Sequence, residues 1–154
     1  MNRTMKIIRE VNNQAEDFYR DAVGLGDHAA DALGKARRAQ MTSLENIAES
    51  AMKSTDVFDF IKKQIARHDD WRKPFKGHKD AYQGFGERLK TYLEKELPPK
   101  ITIIYNSVGT GDATDKDRQR KEIYLMLIRQ FIRQVVVQYE YRANTDKNSP
   151  EKES

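Results

Sequence analysis

The chain contains no cysteine. Disulfides and thiolate metal sites are therefore excluded, and a reducing cytoplasm is a compatible home. No apolar run approaches the ~18 residues that a membrane-crossing helix needs, so no membrane partner is expected. Residues 1–14, MNRTMKIIREVNNQ, lack the apolar stretch and small-residue cleavage site of a secretory signal, which again points to the cytoplasm. There is no glycine-rich phosphate loop: Gly109-Thr110-Gly111-Asp112 lacks both the lysine and a clear preceding strand. No serine or threonine stands beside a base in a recognisable nucleophile motif. The expectation is a protein that is not an enzyme and uses no cofactor. No internal repeat is present.

What the chain does have is charge and helical periodicity. Of its 154 residues, 34 % are charged and 38 % hydrophobic, the balance of one soluble helical domain with a heavily charged surface. It is too apolar and too periodic to be disordered as a whole. The net charge of +4 permits an anionic partner without demanding one.

Residues 121–142, KEIYLMLIRQFIRQVVVQYEYR, carry apolar side chains at Tyr124, Leu127, Ile128, Phe131, Ile132, Val135, Val136 and Tyr139. Those steps of three and four are the period of one helix face. Leu125, Met126 and Val137 widen the arc, so this helix should be central and packed by several neighbours. The fold expected is all-α, a compact bundle of five to six helices around this element. Residues 1–143 would form the domain. Residues 144–154 have no apolar residue larger than alanine and read as a disordered tail.

Upstream, residues 4–23 read as one amphipathic helix, broken by Gly24-Leu25-Gly26-Asp27. An alanine-rich helix follows over 28–40, its small side chains suggesting a close approach to a neighbour. Thr42 with Glu45 has the form of a capping box. Ser54-Thr55-Asp56 caps a helix from Val57 to about His68. Residues 69–79, DDWRKPFKGHK, read as a loop. A helix over 80–97 should stop at Pro98-Pro99. Residues 101–108, ITIIYNSV, fit strand and helix alike; an isolated strand among helices would lack a partner, which favours a short helix. Thr114 or Asp115 would cap the long helix.

Three groups of residues are candidates for function. The segment 62–79 holds Lys62, Lys63, Arg67, Arg72, Lys73, Lys76 and Lys79 against Asp69 and Asp70. Those cations could neutralise a phosphate backbone, with an exposed Trp71 or Phe75 stacking on an unpaired base. Equally, the segment is a solvated face with Trp71 folded inward as a plug. Arg129 and Arg133 lie one turn apart on the long helix, and Arg118, Arg120 and Lys121 extend the positive stripe to its start. Cations there oppose the helix dipole, so they serve either an anionic partner or acidic residues on a neighbouring helix. Finally, His28, His68-Asp69 and a later aspartate (Asp112, Asp115 or Asp117) stand in the order of a His-Asp metal phosphohydrolase, whose metal would activate water on a phosphate. The spacing is loose and lysines and arginines flank the pair, so no metal is expected.

Two stretches resemble a known family. Residues 41–46, MTSLEN, open a helix, and residues 131–142, FIRQVVVQYEYR, close the last one with tyrosines. Together they resemble the small all-helical subunit of type III CRISPR–Cas effector complexes, a component of antiviral defence. Glu45 stands where that family usually has arginine. The resemblance implies a non-catalytic RNA-binding subunit whose copies stack along a guide RNA–target duplex, with basic helix faces lining the path. The residues expected to meet the backbone are Lys62, Lys63, Arg67, Trp71, Arg72, Lys73, Arg129 and Arg133. The alternative is a helical scaffold or adaptor that binds no nucleic acid.

Overall fold

The computed structural model describes residues 1–76, 82–108 and 115–145. Its helices are α1 (Arg3–Asp17), α2 (Tyr19–Leu33), α3 (Arg38–Ser50), α4 (Ser54–Arg67), α5 (Phe85–Lys95), α6 (Pro98–Ser107) and α7 (Lys116–Thr145). Two short 3-10 turns, Lys35–Arg37 and Asp69–Arg72, lie between them. The fold is all-α, as the periodicity implied.

The 30-residue α7 is the organising element. At 1.5 Å per residue it is about 45 Å long. It packs against α2 above all, and also against α1, α3, α4 and α6. Ile123, Leu127, Ile128, Phe131, Ile132, Val135, Val136 and Tyr139 are essentially inaccessible and belong to one buried cluster running from Ile7 to Ala143. Of the three residues expected to widen the apolar arc, Leu125 is buried, Met126 is partly buried against the core and Val137 is exposed. On α1 and α2, Ile8 and Tyr19 are exposed as well.

Several helix limits differ from expectation, each for a physical reason. The break after α1 falls at Phe18, not at Gly24. Phe18 leaves helical geometry (φ −94°, ψ 5°) while burying its ring edge-on against Phe131, centroids 5.3 Å apart. Gly24 and Gly26 sit inside α2, where Gly26 removes the side chain that would collide with α7. A Cβ there would lie 2.4 Å from Cβ of Gln138. The turn after α2 uses Gly34, whose φ of 58° only glycine adopts cheaply.

Thr42 is not a cap. α3 begins at Arg38, so Thr42 and Glu45 lie within it. α4 begins at Ser54 itself, without a side-chain cap. α5 starts at Phe85 rather than at residue 80: Gly84 just before it is extended (φ −67°, ψ 161°) and forms an antiparallel bridge with Pro74, and the Phe85 amide donates to the Lys73 carbonyl at 3.2 Å. Pro98-Pro99 opens α6 instead of ending α5 in a stop, since proline's missing N–H costs nothing in a first turn. α6 spans 98–107, which settles residues 101–107 as helix. α7 begins at Lys116, directly after Asp115, one of the two residues expected to cap it, and it takes in Asn144 and Thr145, which the sequence places in the tail. Thr114 and the rest of the tail lie outside the described residues.

Candidate nucleic-acid interface

α4 forms because Val57 and Ile61 recur at helical spacing and bury against the core, leaving its outer face to charge. Lys62, Lys63 and Arg67 are exposed on it, and none has an ion-pair partner among the described residues. Their directions differ. Lys62 lines a cleft with Phe58, Lys90, Glu94 and Tyr124, between α4, α5 and α7. Lys63 lines another with Ile47, Met52, Asp59 and Phe60, on the α3 side. The two lysines therefore flank α4 rather than forming one stripe.

The 3-10 turn after α4 bears out the inward-plug reading of Trp71 and removes it from the residues expected to meet the backbone. Trp71 is fully buried and offers no face to a base. Its indole N–H donates to Gln40 Oε1 at 2.6 Å, and its ring leans on Phe85, centroids 5.1 Å apart. The apolar bulk of the only tryptophan is worth more inside the core than on the surface. The neighbouring charges are largely spent on each other. Arg72 pairs with Asp69 and also donates to the Ile65 carbonyl. Asp70 receives Lys73 at 2.7 Å and Arg37 at 2.9 Å. Burial works upward on the Asp70 carboxyl, but the hydrogen bonds from Lys73 and Arg37 outweigh it and hold it below the ordinary value.

Arg37 was not foreseen. It comes from the turn before α3 and joins the basic segment through Asp70. The short run Lys35, Arg37, Arg38 was its only signal in the sequence. His28 was foreseen only as a metal ligand, and its role is different. It is buried, stacked on Phe75 with centroids 5.0 Å apart, and bonded at both ring nitrogens. Nε2 meets the Lys73 carbonyl at 2.8 Å and Nδ1 meets the Arg88 guanidinium at 2.8 Å. A carbonyl only accepts and a guanidinium only donates, so the ring is the neutral Nε2–H tautomer. His28 thus ties the basic segment to α2 and α5. Asp69 is likewise committed, to Arg72. Among the described residues no three His, Asp or Glu side chains are grouped to hold a metal, and Asp112 lies outside them.

Arg129 and Arg133 also find neighbours within the bundle. Arg129 donates to the carbonyls of Ala48 and Ala51 at 3.0 and 2.8 Å, closing the C-terminus of α3. Arg133 pairs with Glu49 at 2.6 Å. Both lie mid-way along α7, well beyond the first turn where its dipole acts, and they meet the negative C-terminal end of α3, where a cation is favoured. Of the two, Arg133 remains exposed at 47 % of its side chain.

No family model, curated protein or solved structure matches this chain.

Proposed function

We propose that this protein is a non-catalytic subunit that binds the phosphate backbone of RNA within a larger cytoplasmic ribonucleoprotein. The observation that carries this reading is the contrast along one segment. Arg37, Arg72 and Lys73 are paired with Asp69 and Asp70, whereas Lys62, Lys63 and Arg67 stand exposed without ion partners among the described residues. Unpaired cations on one helix suit contact with a phosphate backbone, which carries no sequence information by itself. Lys62, Lys63 and Arg67 would supply most of the attraction. Lys73, Arg72 and Arg133 would contribute from their rims, while Arg129 and Trp71 would act only by holding the fold. The resemblance to the small subunit of type III CRISPR–Cas complexes offers a concrete setting, in which copies line a guide RNA–target duplex.

The test is a salt titration of RNA binding by the full chain and by any complex that co-purifies with it. Binding should be nearly independent of sequence and fall linearly on a log–log plot, by roughly 0.7 per phosphate contact on single strands. Replacing Lys62, Lys63 and Arg67 by glutamate should flatten the slope by about two to three contacts while the helical spectrum is unchanged. Absence of binding at low salt in both samples, or an unchanged slope in the triple variant, would replace this reading by the adaptor.

A further inference from the structure

A cleft of about 390 Å³ opens between α2 and α5, on the far side of His28 from the basic segment. Arg20, Asp21, Leu25, Arg88, Tyr92 and Glu96 line it. Two guanidiniums and two carboxylates thus share one small space. None of the four is in an ion pair among the described residues. Asp21 instead accepts the Tyr92 hydroxyl at 2.8 Å. Arg88 is half-buried and spends one N–H on His28 Nδ1 at 2.8 Å. Among the described residues that is its one hydrogen bond, and the side chain lines the cleft. Burial lowers the pKa of Arg88, and the attraction of Asp21 offsets only part of that cost. A half-buried guanidinium with free donors is suited to a bidentate carboxylate. Asp21 and Glu96 would repel a simple anion from the same space. A cation alone would meet Arg20 and Arg88. A ligand bearing both charges satisfies both sets, and a cleft of this size suits a small molecule.

We propose that this cleft binds a small zwitterion of the free amino-acid class, its carboxylate on Arg88 and its ammonium between Asp21 and Glu96. Leu25 offers an apolar contact, and Arg20 at the rim reinforces the anionic end. The site is separate from the nucleic-acid reading and stands or falls without it.

The experiment is calorimetric titration of the full chain with each standard L-amino acid in turn. For the tightest, the N-acetyl and carboxamide derivatives follow. Saturable binding of at least one free amino acid is expected, weakened about tenfold or more when either end is blocked, since each block removes one charged contact. Arg88→Gln should abolish it. Because Arg88 also holds His28, that variant can lose its fold, so Glu96→Gln at the exposed rim is measured beside it and should weaken binding by a similar factor. Three results overturn the proposal: no amino acid binds at millimolar concentration, the N-acetyl derivative binds as well as the free acid, or a folded Glu96→Gln variant binds unchanged.

Discussion

Gly26 of α2 lies so close to Gln138 of α7 that a methyl group added to the glycine would sit 2.4 Å from the Gln138 Cβ and 2.7 Å from the Val135 carbonyl oxygen. Neither atom can swing away without parting the two helices. Alanine gains about 1 kcal/mol over glycine in helix propensity, but forcing this contact open costs about 1–3 kcal/mol or more. Gly26→Ala should therefore destabilise on balance. Gly24→Ala, two residues earlier with nothing within 4 Å, should stabilise by about 0.5–1 kcal/mol. Urea midpoints of the two variants should move in opposite directions. A common shift would mean that α2 and α7 are not in this contact.

Phe131 stands where three elements meet. Phe18 packs edge-on at 5.3 Å and Tyr92 stacks at 4.2 Å, with the rings nearly parallel. Phe131→Ala should cost ~3–5 kcal/mol, the range for emptying a packed aromatic site. A loss below about 1 kcal/mol in denaturant melts would contradict a central α7.

Arg129 and Lys63 separate structural from functional charge. Arg129→Gln withdraws a charged donor from the carbonyls of Ala48 and Ala51 and should cost about 1–3 kcal/mol. RNA affinity per folded molecule should stay the same. Lys63→Glu should do the reverse, weakening RNA binding with little effect on stability. Equal loss of RNA binding in the two variants would return Arg129 to the interface.

Alkali should attack the core through its tyrosines. Burial pushes the Tyr124 hydroxyl up to about 12, with help from Glu94. Burial likewise pushes Tyr139 up to about 12, with Arg38 opposing and Glu140 adding. Tyr92 is raised further, by burial and then by its bond to Asp21. In the unfolded chain tyrosine ionises near 10. The folded form binds these protons more tightly, so their contribution is complete below about pH 10 and drains away as pH rises towards about 12. Thermal melts from pH 9 upward should show that decline, and Tyr124→Phe should make it shallower. An unchanged steepness in the variant would remove Tyr124 from the account.

The long C-terminal helix was legible because its apolar period persists over many turns, and a period that long has no strand alternative. The helix ends were less legible. Thr42 and Glu45 satisfy a capping pattern, but helix formation had already begun at Arg38, and a local motif does not register the turn upstream. The glycines at 24 and 26 looked like a break because glycine's backbone freedom is local knowledge, whereas its use here as a missing side chain depends on α7, more than 100 residues away. For the candidate interface, the density of cations was visible, but their pairing was not. Charge sign is written in the sequence; whether Lys73 meets Asp70 or a phosphate depends on a turn geometry that no spacing specifies.

From its amino-acid order alone this chain is committed to helices, to a greasy final element and to a mildly basic surface, because each follows from short-range periodicity and composition. Burial of Trp71, the neutral His28 between Lys73 and Arg88, and the use of Arg129 as the closing group of α3 arise only when distant segments meet. A tryptophan, a histidine and an arginine are each stable exposed or buried, and their partners decide which. Those partners lie roughly 30 to 80 residues away in the chain, beyond the reach of any local pattern, and only packing brings them within bonding distance.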